Sequence, residues 1–331
     1  MDILSLNMNT TRLTPWGTLY LLWAVGCTCA LSPVKADTND WIDATMLKLK
    51  TIDFEFSRSE SAVPFLPVLS AGHTIYGKTE FASVEGGGQN VTFRTQSSYA
   101  YAMVPLYVGD SGLAVAVPCV SHTWFHFTEG DMKDGDATAV YLPFGAMWQT
   151  EGKTQWGWFL MPSAYSPLSS EGDWAASGMG GVMGRYMSGD RLTWYYGVVY
   201  DYGFSDGYFL PYAGFSYVID PTWAISMIAP WPSVSYAPSD KFFVQLGVSP
   251  SGASWALDRS TENGDKVMAS FGGWDLGLWG NWRVGPAWWL SAGGGVSGLR
   301  SLQVDPNGDA NFDQKVGSEP WVGITLSLRP N

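Results

Sequence analysis

The chain has 331 residues, with 39 glycines, 15% aromatic and 15% charged residues, and 30 acidic against 18 basic side chains give a net charge of −12. Charge is well below the roughly 25% of ordinary soluble domains, and its acidic sign excludes a protein built to neutralise nucleic-acid phosphates. Three cysteines, two of them inside the first 30 residues, exclude a small scaffold stapled by disulfides.

Residues 1–36 read as a secretory signal peptide. Arg12 supplies the positive charge, residues 18–31 (TLYLLWAVGCTCAL) the apolar core, and Val34-Lys35-Ala36 a small-x-Ala cleavage site. That core is shorter than the ~20 residues of a membrane-spanning helix. Cleavage near Ala36 removes Cys27 and Cys29 and leaves Cys119 alone. It also removes Arg12, Lys35 and Asp2, so the remaining chain carries −13. Residues 37–331 are expected to form one domain. No apolar run of ~18 residues follows, so a bilayer can be crossed only by strands closed into a barrel. Open strands would leave backbone N–H and C=O groups unpaired in hydrocarbon.

Most of the remaining chain alternates with period 2, which points successive side chains to opposite faces of a strand. A first strand is expected over residues 47–56, followed by a long loop over 58–90. Val91, Phe93, Tyr99 and Tyr101 then alternate with Thr92, Arg94, Gln96 and Ser98. Further strands are expected over 113–119, 138–148, 156–160 and 174–187. The clearest hairpin runs from 191 to 219. There Leu192, Trp194, Tyr196, Val198 and Tyr200 form one face, and Arg191, Thr193, Gly197 and Asp201 the other. A strand over 223–236 carries Pro230 and Pro232. Strands over 242–248 and 253–258 are separated by a turn at 250–252. Those over 267–283, 288–296 and 322–328 finish the count, with a polar loop at 301–318. The total is about fourteen, or twelve if the first strand and the 250–252 split are dropped. The fold class expected is therefore all-β, an antiparallel transmembrane β-barrel of about 12–14 strands. Tight turns at 109–112, 150–153, 188–190, 220–222, 250–252 and 284–286 alternate with longer polar connections, as periplasmic turns alternate with external loops. Trp156, Trp158, Trp174, Tyr208, Trp223, Trp274, Trp288 and Trp321 fall near strand ends, the headgroup level such residues prefer.

The run from Leu210-Pro211-Tyr212-Ala213-Gly214-Phe215-Ser216-Tyr217, through Trp223, Ala229-Pro230 and Val234-Ser235-Tyr236, to Gln245-Leu246-Gly247 resembles an uncharacterised family of Gram-negative outer-membrane β-barrel proteins. The likeness extends over residues 90–329. It implies an outer-membrane barrel and brings no catalytic residues with it. Unlike most such barrels, the chain ends Leu328-Arg329-Pro330-Asn331, without a terminal aromatic residue.

The less apolar strand faces nominate lumen residues: Arg94, Gln96, Arg185, Arg191, Asp201, Gln245, Asp275, Asn281 and Arg283. In a channel such groups tune selectivity; in a plugged lumen they pair with one another. No catalytic, cofactor or metal set is nominated. His122 and His126 share a strand face but lie roughly 13 Å apart along it, too far for one metal. Ser121 and His122, as neighbours, point to opposite faces. Asp305-Pro306-Asn307-Gly308-Asp309 begins like a Ca²⁺ loop, but Ala310 and Val316 stand where Gly and Glu are required.

The function expected is porin-like passage of small solutes, without catalysis. The alternatives are a structural or adhesive barrel binding cations or surface ligands through acidic loops such as 129–136, and an outer-membrane lipid enzyme. Expected partners are outer-membrane lipid, lipopolysaccharide and the assembly machinery, with no nucleic acid. Oligomeric state is not fixed by the sequence.

Overall fold

The structure, a computed structural model, describes residues 61–329 apart from residues 65, 82–90, 110, 129–133, 151, 169–171, 203–207, 261–265 and 305–311. The expected signal segment and the strand expected over 47–56 lie outside the described residues.

Described residues form eighteen strands and no helix. The first seven are β1 (Leu69–Phe81), β2 (Val91–Ala102), β3 (Val104–Val108), β4 (Gly112–Ala116), β5 (Cys119–Phe127), β6 (Gly135–Tyr141) and β7 (Phe144–Gln149). The middle of the chain gives β8 (Thr154–Tyr165), β9 (Ala175–Met187), β10 (Leu192–Asp201), β11 (Tyr208–Val218), β12 (Trp223–Ile228) and β13 (Ser233–Ser239). The last five are β14 (Phe242–Ser260), β15 (Lys266–Arg283), β16 (Trp288–Val304), β17 (Phe312–Val316) and β18 (Glu319–Leu328).

Four consecutive pairs, β2/β3, β4/β5, β6/β7 and β17/β18, continue one another across breaks of one or two residues. Members of each pair face the same neighbouring staves: β2 pairs β5 while β3 pairs β4, and β17 and β18 both pair β16 and β1. Pro118 and Pro143 sit in two of the breaks, where their missing N–H costs no ladder bond. The eighteen strands are thus fourteen staves, all antiparallel to their neighbours. β1 pairs both β2 and β18, which closes the sheet. The fold is the antiparallel β-barrel that the alternation predicts, and closure through β1 leaves no first or last stave unpaired.

Several boundaries differ from expectation. Residues 58–90 are not one loop, because β1 occupies Leu69–Phe81. The stretch 223–236 is two short strands, β12 and β13, turning at the two prolines. The turn expected at 250–252 is instead the middle of β14. The polar loop 301–318 contains the end of β16 and all of β17. Connections at 109–111, 150–153, 188–191, 219–222, 240–241 and 284–287 share one end of the barrel, the turn end, with both ends of the described chain. The other seven connections lie at the opposite, loop end.

The outer wall is apolar. Val182, Leu276 and Leu278, and Val322 and Ile324 are each more than half exposed, and Val140, Leu160, Val198 and Leu246 continue the belt. At the turn end it is bordered by outward aromatics from successive staves: Trp148 and Trp156, Tyr186 and Trp194, Tyr217 and Trp223, then Trp282 and Trp288. Trp174, Tyr202, Phe209 and Trp231 lie towards the loop end. Trp194 near the start of β10 and Tyr202 just past its end stand about 26 Å apart along the strand direction at roughly 3.3 Å per residue. This height and two aromatic girdles are those of a membrane-spanning barrel. Trp321, expected with the girdles, is a correction: it is 4% exposed and faces the lumen. His73 and His122 stand on the outer wall, within hydrogen-bond distance of Ser98 (2.8 Å) and Thr138 (2.7 Å).

Candidate functional site

The lumen is shaped by the long β14–β15 hairpin. β13 reaches only to Ser233, opposite Gly247, and the last bond between the two neighbours is Val248 N–H donating to the Pro232 carbonyl at 3.0 Å. Above that point β14 has no partner on the β13 side. Pro250 is tolerated there for that reason. Gly252 follows with φ of 141°, where a Cβ would lie 2.0 Å from the Phe271 carbonyl oxygen. The strand then leans into the mouth, and Ala256 N–H donates to the Ser166 carbonyl at 2.9 Å.

Both faces of the leaning hairpin are covered. Trp255 and Phe271 pack on Phe93, Phe125 and Ala137 from the inner faces of β2, β5 and β6. Ring centroids are 5.2 Å apart for Phe125 and Trp255 and 5.4 Å for Phe93 and Phe271. On the other face Ala256 and Met268 meet Ala175 of β9 and Tyr165 of β8. Burying each large ring contributes about 1.5–3 kcal/mol, so the hairpin is held firmly across the mouth. At the turn end Val63 tucks against Ala237, Phe243 and Trp289, all inward-facing.

Beneath the hairpin lies a chamber of about 550 Å³. Thr74, Thr95, Ser97 and Thr123 line one wall. Ser249, Ser251, Ser254 and Ser270 line the opposite wall. Trp279 and Trp321 bound it with rings 5.2 Å apart. Two charged side chains reach it. Asp275, 7% exposed, accepts hydrogen bonds from Tyr76 Oη (2.8 Å) and Ser251 Oγ (2.7 Å). Arg300, 4% exposed, makes an ion pair with the equally buried Glu319. Its guanidinium also lies 4.2 Å from the Phe271 ring centre and donates to Thr79 Oγ1 at 3.3 Å.

Of the nine residues nominated for the lumen, only Asp275 lines this chamber. Arg94 and Gln96 are corrections. Gln96 pairs with Ile75, and both lie with Arg94 and Val322 along an outer-wall groove, while Phe93 and Thr95, which alternate with the two polar residues, are buried inside. The lumen here is filled by rings, so the aromatic face of β2 points inward and the charged face out. Arg185 faces inward beside Gln155, which in turn bonds Gln149. Arg191 lies in a turn at the barrel end, with Nη1 donating to the Ile219 carbonyl at 3.2 Å. Asp201 shares the inward face of Thr193 and Tyr195, opposite Met179. Gln245 pairs with the inward Trp279. Asn281, 3% exposed, accepts from Ser291 Oγ at 2.6 Å. Arg283 closes the 284–287 turn by donating to the Gly285 and Pro286 carbonyls.

Arg300 and Glu319 were not nominated. Glu319 has the same parity as the inward Gly323, Thr325 and Ser327, a signal present in the sequence. Arg300 reaches the inside because of an irregularity at Leu299, whose φ is 50°. Composition does not announce that kink. Among the described residues no group of His, Cys, Asp and Glu could hold a metal.

No protein-family model matches this chain, and no curated protein matches it. Solved structures with a similar outline include an outer-membrane channel, a toluene transporter and an autotransporter translocator domain. An outer-membrane channel from Pseudomonas putida F1 is 11% identical, over 79% of this chain and 96% of that one, with a TM-score of 0.38. The Pseudomonas putida toluene transporter TodX is 12% identical over 80% and 89%, with a TM-score of 0.33. The translocator domain of the autotransporter NalP from Neisseria meningitidis is 15% identical over 87% and 96%, with a TM-score of 0.31. Likenesses at this level do not bear on what passes through or binds to this barrel.

Proposed function

We propose that the protein resides in the bacterial outer membrane after loss of residues 1–36, surrounded by lipid and lipopolysaccharide, and passes small solutes through its lumen without catalysis. The observation that carries this reading is the chamber itself: a hydroxyl-lined space of about 550 Å³ inside a closed wall whose exterior is apolar. A barrel kept only as a scaffold gains nothing from such a space, because unfilled polar interior forfeits packing. Ser121 lines the chamber while His122 stands on the outer wall, so those neighbours do not form a nucleophile and base. The test is osmotic swelling of liposomes carrying the purified protein. Entry of small neutral solutes faster than into protein-free liposomes supports passage, and identical rates overturn it.

A further inference from the structure

The chemistry of the chamber says which solutes suit it. A hydroxyl both donates and accepts hydrogen bonds. Walls that present hydroxyls on opposite sides therefore match a solute carrying both functions at many points. An apolar solute would strip water from those hydroxyls and return nothing, the situation in which polar sites reject analogues most sharply. An anion meets the carboxylate of Asp275, and the one positive charge that reaches the chamber, Arg300, is already neutralised by Glu319 behind it. Asp275 is engaged by Tyr76 and Ser251, and Arg300 by Glu319, so neither charge awaits an ionic partner. Trp279 and Trp321 add two apolar ring faces, tilted 35° to each other with 5.2 Å between ring centres, beside the hydroxyl walls. A solute with C–H faces and a hydroxylated rim satisfies both surfaces together. The volume lies within the roughly 300–1,000 Å³ of small-molecule sites.

We propose that this chamber binds small, uncharged, polyhydroxylated solutes of the size of a monosaccharide. The proposal rests on the passage reading for its biological role, but binding is measured separately. Saturation-transfer NMR on the detergent-solubilised full chain, with D-glucose, gluconate and toluene as probes, tests it. Glucose signals are expected, weak or absent for gluconate and toluene. The Thr95→Val/Ser251→Ala variant, which removes a hydroxyl from each wall, should weaken glucose binding about tenfold. Arg94→Ala, on the outer wall, should leave it unchanged. If the double variant loses the heat-dependent gel shift of a folded barrel, Thr123→Val alone serves, with a severalfold loss expected. No glucose signal, a toluene signal in its place, or glucose binding indifferent to the hydroxyl variants would overturn the proposal. Glucose binding without liposome swelling would sink passage and leave the chamber assignment intact; swelling without glucose binding would do the reverse.

Discussion

At the scale of single residues, the lumen depends on one buried ion pair. Arg300 and Glu319 are each less than 5% exposed, and the guanidinium is further held by Phe271, Tyr76 and Thr79. Removing one partner of such a pair strands the other charge in a dry place, at a cost of about 3–5 kcal/mol. Arg300→Met should therefore lower the urea midpoint of the refolded barrel strongly. Arg300→Met/Glu319→Leu should recover most of that loss, because two matched apolar side chains leave no orphan charge. A double variant as unstable as the single one would show that the pair itself supplies net stability. How much of the site can be read at this scale depends on parity. Asp275 was legible because Leu276 and Leu278 beside it are plainly lipid-facing. Arg94 and Gln96 were not, because β2 carries its rings, Phe93, Tyr99 and Tyr101, on one face and Arg94 and Gln96 on the other, which reads as a lipid-facing aromatic stripe when the rings in fact fill the lumen. Which face turns inward is decided by Phe125, Trp255 and Phe271, remote in sequence.

At the scale of the elements, strand existence was legible and strand boundaries were not. The described residues form fourteen staves, within the twelve to fourteen strands expected, but they are not the same strands: β1 stands where a loop was expected, and the strand expected over 47–56 lies outside the described residues. One expected strand over 223–236 is two, and the two expected over 242–258 are one. Proline explains both. Pro230 and Pro232 fall where a ladder must stop, whereas Pro250 falls where β14 has already left β13, and local composition does not distinguish these settings. The hairpin's lean depends on Gly252. Gly252→Val places a Cβ against the Phe271 carbonyl in a backbone region costly for L side chains, a strain of about 1–3 kcal/mol. Limited trypsin digestion should then cut faster at Arg259 and Lys266, which flank the hairpin tip, than in the parent protein. Equal rates would mean that the hairpin is held by its ring contacts alone.

At the scale of the whole molecule, the closed wall, its apolar belt and its aromatic girdles form one argument for a lipid environment. This was the most legible level of all, since period-2 alternation and aromatic placement are properties of the whole strand set. What the sequence did not disclose was the interior, because the hairpin across the mouth packs on strands up to 178 positions away in the chain, the separation of Phe93 and Phe271. A charge placed mid-belt tests the exterior. Val322→Arg, on a side chain 60% exposed to the outside, should destabilise the lipid-inserted barrel by about 2–4 kcal/mol. The same change should matter far less in a water-exposed sheet. The interior is tested most directly by current through planar lipid bilayers, comparing the parent protein with Trp255→Ala/Phe271→Ala, which removes the rings anchoring the hairpin across the mouth. A solute-passing barrel with that hairpin in its mouth predicts discrete current steps that grow in the variant. A folded variant that inserts into the bilayer yet carries no more current than bare lipid would contradict it.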